Sequence, residues 1–231
     1  MRNLKNILLS LIIAFSTSSF SEVAEVYQWK AFPGKSMEMM ESMLKAAEIH
    51  EKQGAKVAID VHNVGSTQLV NYVLRWDDSK SYAASKDIQA SSDEWVKFWA
   101  EANQNPSGEM MASFSANNLD QSRKASDFDG SYVYSVNVWK VETGKDMELI
   151  QRFMSSKPIL EKAGARVEIY QANWGAPGEY HYVLMFDSWS ALEESFSKLG
   201  PGSEWAAYMQ SRADDEIIAE QTAWFTGQTA N

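Results

Sequence analysis

The chain has 231 residues, and its 31 acidic against 21 basic residues give a formal net charge of −10 at neutral pH. Nucleic acid is bound through concentrated positive charge, so this balance argues against a nucleic-acid partner. There are no cysteines, which excludes a disulfide framework, a cysteine nucleophile and a lipid attached to cysteine.

The N-terminal stretch, residues 1–21, has the pattern of a secretory signal peptide. Arg2 and Lys5 precede the apolar run 7–15, and small polar residues follow up to Ser21. Such a run is too short to cross a bilayer, which takes about 20 apolar residues. We therefore expect cleavage after Ser21, no membrane anchor in the mature chain, and a periplasmic or secreted protein.

Residues 22–116 are predicted to form a first unit of alternating strands and helices. Pro33-Gly34 ends the first strand, Gly54 caps the first helix, and a short turn around Gly65 predicts a hairpin. The predicted strands are 25–31, 55–64, 69–77 and 110–116, and the predicted helices are 35–53, 79–88 and 93–102.

A polar segment, residues 117–130, is predicted to be a linker to a second unit, residues 131–231. Its predicted strands are 132–141, 165–174, 179–187 and 217–225, and its predicted helices are 145–162, 191–199 and 203–213. Pro158 falls inside the first of these helices and is expected to kink or split it, because proline removes a backbone hydrogen bond.

The second unit repeats the first at one fixed offset. When each residue n is laid over residue n+110, Trp29 aligns with Trp139 and Glu94-Trp95 aligns with Glu204-Trp205. The alignment between these points needs no gap. A self-match at constant spacing indicates a tandem duplication. We predict an α+β fold of two tandem ferredoxin-like βαββαβ units whose sheets pack together as an intramolecular α/β barrel. Such a chain should be a monomer, because it carries its own partner unit.

The strand alternation separates a large apolar face from a mixed one. Tyr72 and Leu74, with their counterparts Tyr182 and Leu184, predict the helix-covered face. The mixed face is the predicted ligand pocket. Its predicted ligand-binding residues are Tyr27, Trp29, Asp60, Asn71, Asn137, Trp139 and Tyr170. The candidate catalytic residues there are His62, His181 and Arg75, whereas His50 is predicted to be a surface or boundary residue.

Two such units, each with a Trp in its first strand and a helix bearing Glu-Trp, resemble the dimeric α/β-barrel superfamily. That superfamily includes NIPSNAP-like proteins, antibiotic-biosynthesis-type monooxygenases and haem-degrading enzymes. The resemblance implies that two units enclose a barrel, and that ligands sit inside it or between sheet and helices. It rests on topology, and no catalytic triad of these families is found among the residues of this chain.

Two functions stay open at this stage. One is a NIPSNAP-like module that holds a small, partly apolar ligand. The alternative is a cofactor-independent oxygenase or isomerase acting on a small aromatic or enolisable substrate, in which His62 or His181 removes a proton and Arg75 stabilises an oxyanion.

No cofactor is predicted for either function. Haem is disfavoured because none of the three histidines has a histidine counterpart in the other unit. No metal site is expected, because a zinc site would need Asp60, His62 and His181 to converge.

Overall fold

The computed structural model describes residues 21–65 and 68–230, so the predicted signal peptide lies outside the described residues except for Ser21. The strands are β1 (Val23–Ala31), β2 (Lys56–Val64), β3 (Leu69–Trp76), β4 (Gly108–Asn118), β5 (Val133–Val141), β6 (Arg166–Ala172), β7 (Glu179–Phe186) and β8 (Ala219–Thr229). The α-helices are α1 (Ser36–Lys52), α2 (Ser79–Ala90), α3 (Asp93–Ala102), α4 (Asp146–Ala163), α5 (Trp189–Ser197) and α6 (Glu204–Ser211).

The eight strands close into one antiparallel barrel in the order β1-β3-β2-β8-β5-β7-β6-β4. Two of the strand pairs, β2 with β8 and β4 with β6, join the N-terminal half of the sheet to the C-terminal half. The mixed α/β character predicted from the sequence is therefore confirmed. Among the described helices, none is long and apolar enough to span a membrane.

The helices cover the outside of the barrel, and each half has its own core beneath them. Tyr72 and Leu74 are buried with Met43 of α1, and Tyr182 and Leu184 are buried in the other half. The predicted helix-covered face is thus confirmed. It forms because one face of β3 and one face of β7 are uniformly large and apolar, and those faces pack on the apolar side of the helices.

Two details differ from the sequence prediction. Strand β8 extends to Thr229, four residues beyond its predicted end. Helix α4 is continuous across Pro158, so the predicted split is wrong. Pro158 and Met154 both lie on the exposed side of α4, where water can satisfy the carbonyl that the proline leaves without a partner.

The segment predicted to be a linker packs against one end of the barrel. A 3₁₀ turn at Ala125–Phe128 buries the Phe128 ring, whose centroid lies 4.1 Å from the guanidinium carbon of Arg75. The first residues of the segment, Asn117 and Asn118, still belong to β4. The segment therefore closes part of the barrel end.

Candidate functional site

Two of the cavities formed by the described residues lie on opposite faces of the sheet. The first, which we call the lumen, lies inside the barrel and measures about 330 Å³. The second, which we call the cleft, lies outside the barrel between the first half of the sheet and helices α1, α2 and α3, and measures about 450 Å³. Both volumes suit a small organic ligand.

Part of the predicted pocket is found together in the lumen. Its lining includes five of the residues predicted from the mixed face, namely Asp60, Asn71, Arg75, Tyr170 and His181. They come from β2, β3, β6 and β7, so both halves of the chain contribute to the cavity. His62 is also buried, but it stacks on the lumen residue Phe225 at 4.3 Å and is not itself among the lining residues.

Four predicted residues were placed on the wrong face. Tyr27 and Trp29 line the cleft, and Trp139 packs on Phe153 of α4. Asn137 pairs with Tyr182, whose side chain belongs to the helix-covered core. The sequence prediction took the valines of β5 as helix-facing because they are apolar, but the lumen is also lined by valines. Register with the neighbouring strand decides the face.

Arg75 is held in a buried ion pair at the end of the lumen. Its Nη1 donates to Glu22 Oε1 at 2.8 Å and to the Tyr170 hydroxyl at 2.7 Å. The side chain of Glu22 is 0% exposed, and that of Arg75 is 11% exposed. Because Glu22 neutralises it inside the fold, Arg75 fits a structural ion pair better than the oxyanion-stabilising role predicted for it.

Three titratable residues of the lumen have a buried side-chain atom without a hydrogen-bond partner among the described residues: Asp60 (Oδ1), His181 (Nε2) and Arg75 (Nε). Burial raises the pKa of Asp60 from 3.8 to about 6, although Arg75 and a hydrogen bond from the Tyr132 hydroxyl oppose the shift. Burial lowers the pKa of His181 to about 4, and its ring stacks on Phe114 at 4.7 Å. At neutral pH the imidazole is therefore neutral, whereas Asp60 carries a charge at a cost in stability.

Replacing Asp60 by asparagine is expected to stabilise the protein at pH 7.5 by roughly 1–3 kcal/mol. A carboxyl whose pKa is raised by folding stabilises the fold while protonated, and that stability is lost as the pH rises from about 4 to about 6. The gain of Asp60→Asn should therefore shrink by more than half at pH 4.5. Urea unfolding of the wild type and of Asp60→Asn at pH 7.5 and pH 4.5 measures the difference in free energy of unfolding. A gain that does not depend on pH would contradict the burial argument.

The walls of the cleft are mainly aromatic. Trp95 stacks on Phe98 with 5.3 Å between ring centroids, and Trp99 lies edge-on to Trp95 at 5.6 Å. Trp29 of β1 lies 6.5 Å from Trp99 across the cleft. Trp99 is 37% exposed and stands at the mouth. Helix α3 supplies three of these rings because its positions 95, 98 and 99 recur at helical spacing.

Three hydrogen-bonded polar side chains, those of Tyr72, His50 and Gln89, lie at the base of the cleft. His50 of α1 is 5% exposed, with its Nδ1 2.8 Å from the Tyr72 hydroxyl and its Nε2 2.7 Å from the amide nitrogen of Gln89. Its ring lies 4.4 Å from that of Trp95. The prediction that His50 is a surface or boundary residue is therefore wrong. Burial, reinforced by the nearby charge of Lys86, lowers the pKa of His50 to about 4, so the ring is neutral at pH 7.

With the Gln89 amide nitrogen facing the His50 ring, these contacts leave the Tyr72 hydroxyl a free proton to donate. The Gln89 amide nitrogen can only donate, so His50 Nε2 accepts and the ring proton lies on Nδ1. That proton is donated to the Tyr72 oxygen. The hydroxyl hydrogen of Tyr72 is then available to an acceptor in the cleft. Burial also raises the pKa of Tyr72, so the hydroxyl stays protonated.

The corresponding positions of the C-terminal half carry bulkier or apolar side chains. Met43 corresponds to Phe153, and His50 corresponds to Leu160; both counterparts are buried in the core under α4. Gln89 corresponds to Leu199, which packs against the same core. The sequence signal that could have located the cleft is this difference between the halves: His50 and Gln89 stand where the other half has leucine.

No metal centre is formed by the residues of 21–65 and 68–230, where no group of three or more histidine or acidic side chains is arranged to hold an ion. Asp60 and His181 lie on β2 and β7, which are separated by two strands on one side of the barrel and four on the other.

The chain matches no protein-family model and no curated protein sequence. Its fold is similar to that of a monooxygenase-like protein from Fusobacterium nucleatum, with 10% identity, 92% of this chain and 94% of that chain covered, and a TM-score of 0.62. A chlorite dismutase-like protein gives 10% identity, 92% and 96% coverage, and a TM-score of 0.57. An anthrone oxidase-like protein gives 11% identity, 91% and 92% coverage, and a TM-score of 0.56. At such identities the likeness shows the ferredoxin-like α/β fold alone.

Proposed function

We propose that the protein binds a small, flat, mainly apolar molecule in the cleft, and that this molecule carries one hydrogen-bond acceptor such as a ketone oxygen. The observation that supports this most is the Tyr72 hydroxyl, which is held by His50 and is surrounded by aromatic rings. A single directed donor in an apolar cavity fixes the orientation of a ligand, while the rings supply most of the binding free energy.

A second candidate function, turnover of such a ligand, is favoured by the same donor. A hydroxyl aimed at a ketone oxygen stabilises the enolate formed when an adjacent C–H gives its proton to a water molecule. In this cofactor-independent oxygenase, Tyr72 takes the oxyanion-stabilising role that the sequence assigned to Arg75. Anthrone, an enolisable aromatic ketone, suits this chemistry: anthrone and O₂ give anthraquinone and water.

Haem does not fit the cleft in its present arrangement. His50 lines the cavity, and both of its ring nitrogens are engaged in hydrogen bonds, to Tyr72 and to Gln89. An axial ligand needs one nitrogen free to bind iron. Neither candidate function is therefore routed through haem.

We also propose the setting in which the protein works. The N-terminal pattern of residues 1–21 supports export to the periplasm or beyond, and the matching halves support a tandem duplication that lets one chain act as a monomeric barrel. The resemblance to NIPSNAP-like proteins supports the binding function over turnover. Light scattering of the purified mature chain measures its molar mass in solution, and the proposal expects the mass of one chain.

The binding function is tested by titrating the protein with anthrone under nitrogen and following tryptophan fluorescence. Trp29, Trp95 and Trp99 line the cleft, so bound anthrone should quench emission. His50→Leu should weaken binding at least tenfold, because Tyr72 loses the partner that orients it. Met43→Phe should abolish binding by filling the cleft, as Phe153 fills the other half.

The matched control is His181→Leu, which makes the same chemical change at a buried histidine in the lumen. It should leave anthrone affinity within twofold. Equal losses in His50→Leu and His181→Leu, or unchanged binding in Met43→Phe, would contradict the cleft as the site. Admitting O₂ to the complex then tests turnover: anthraquinone formed faster than in buffer, and at the buffer rate with Met43→Phe, supports the oxygenase.

A further inference from the structure

The lumen holds polar atoms that the proposed function leaves unused. Asp60 is 7% exposed, and its Oδ1 has no hydrogen-bond partner among the described residues. His181 Nε2 in the same cavity also has none, and a Glu179 carboxylate oxygen lies 3.9 Å from it. Nε of Arg75, another lining residue, is a third such atom. Buried polar atoms are nearly always satisfied, so these unsatisfied atoms in one cavity indicate that a bound molecule completes it.

The charge of the lumen is negative. Arg75 is neutralised by Glu22, so it offers no net positive charge to the cavity. No other lysine or arginine is among the described residues that line the lumen. Asp60 is ionised above pH 6, and Glu179 lines the cavity with 30% of its side chain exposed. An entering cation would relieve this imbalance, because an unpaired buried charge is costly.

The rest of the lining suits an apolar body beside that cation. The lining includes the rings of Phe114, Tyr134 and Phe225 and the side chains of Val136 and Val183. Aromatic faces attract cations as well as hydrocarbon, through their negative quadrupole. The chain as a whole carries a net charge of −10, which favours the approach of cationic ligands.

We propose that the lumen is a second ligand site, which binds a primary amine with a small apolar body. The ammonium group donates to Asp60, and the apolar body packs against Phe114 and Phe225. This site is separate from the cleft, since the two cavities lie on opposite faces of the sheet and share no lining residue.

Isothermal titration at pH 7.5 with 2-phenylethylamine tests the proposal, with 2-phenylethanol as the neutral probe of the same shape. The amine should bind the wild-type protein, and the alcohol should bind at least tenfold more weakly. Asp60→Asn keeps the size of the side chain and removes its charge, and it should lower amine affinity at least tenfold. Asp187→Asn, an exposed position beyond the end of β7, is the matched control and should bind as the wild type does.

Anthrone quenching in Asp60→Asn should match that of the wild type, which shows that the variant is folded and that the cleft is intact. The proposal is overturned if the wild type does not bind the amine, if the alcohol binds equally well, or if Asp60→Asn retains wild-type affinity. A wild-type protein that binds anthrone but not the amine would refute the lumen site alone, so each site has its own test.

Discussion

Replacing Arg75 by leucine is expected to destabilise the protein by about 3–5 kcal/mol. The change leaves the Glu22 carboxylate, whose side chain is 0% exposed, without its ion partner, and removes a donor to the Tyr170 hydroxyl. A buried charge without a partner is among the few single changes with an effect of this size. Urea unfolding at pH 7.5 measures the difference.

The double variant Glu22→Gln with Arg75→Leu separates the ion pair from side-chain packing. It removes both charges, so it should recover at least half of the loss. If Arg75→Leu alone unfolds within 1 kcal/mol of the wild type, the pair is solvated in solution. Arg75 would then be available as the catalytic group predicted from the sequence.

Replacing Gly175 by alanine is expected to cost roughly 2–5 kcal/mol, from strain and from collision with a neighbouring strand. Gly175 has φ +89°, and an added Cβ would lie 2.2 Å from the backbone oxygen of Ser113 on β4. Gly65, at the matching position of the other half, approaches the backbone oxygen of Trp224 on β8 at 2.3 Å. Both glycines stand where one half of the sheet meets the other.

Gly144→Ala is the matched control, because Gly144 also has a positive φ, +84°, but nothing lies within 4 Å of its added Cβ. It should cost only the backbone strain, about 1 kcal/mol. The difference between the two variants in thermal unfolding measures the close approach at the strand junction. Equal losses would mean that the strands there are not in contact in solution.

The architecture was largely predictable because its signals are local. Helical spacing in α1, the turn at Pro33-Gly34 and the glycine after the first helix each define an element without reference to the rest of the chain. The faces of β1 and β5 were not predictable in the same way. Strand β5 has the lumen on one face and the helix-covered core on the other, so apolar residues such as Val136 and Val138 do not reveal which face they occupy.

The cleft was missed for a related reason. The prediction for His50 rested on residue type alone, and histidine is intermediate between the mostly buried and the mostly exposed types. Its burial depends on Tyr72 and Gln89, which are distant in sequence and supply the hydrogen bonds that make burial possible. A comparison of the two halves of the sequence could have indicated the burial, because the positions that match His50 and Gln89 are Leu160 and Leu199.

The central claim, that the cleft is the ligand site, is tested most directly by locating anthrone with methyl NMR of ¹³C-labelled methionines. Met39, Met43 and Met110 line the cleft, Met185 lines the lumen, and Met147 is exposed. Under nitrogen, anthrone should shift the three cleft signals and leave Met185 and Met147 unchanged. A shift at Met185 with the cleft signals unmoved, or no shift at all at saturating anthrone, would contradict the account.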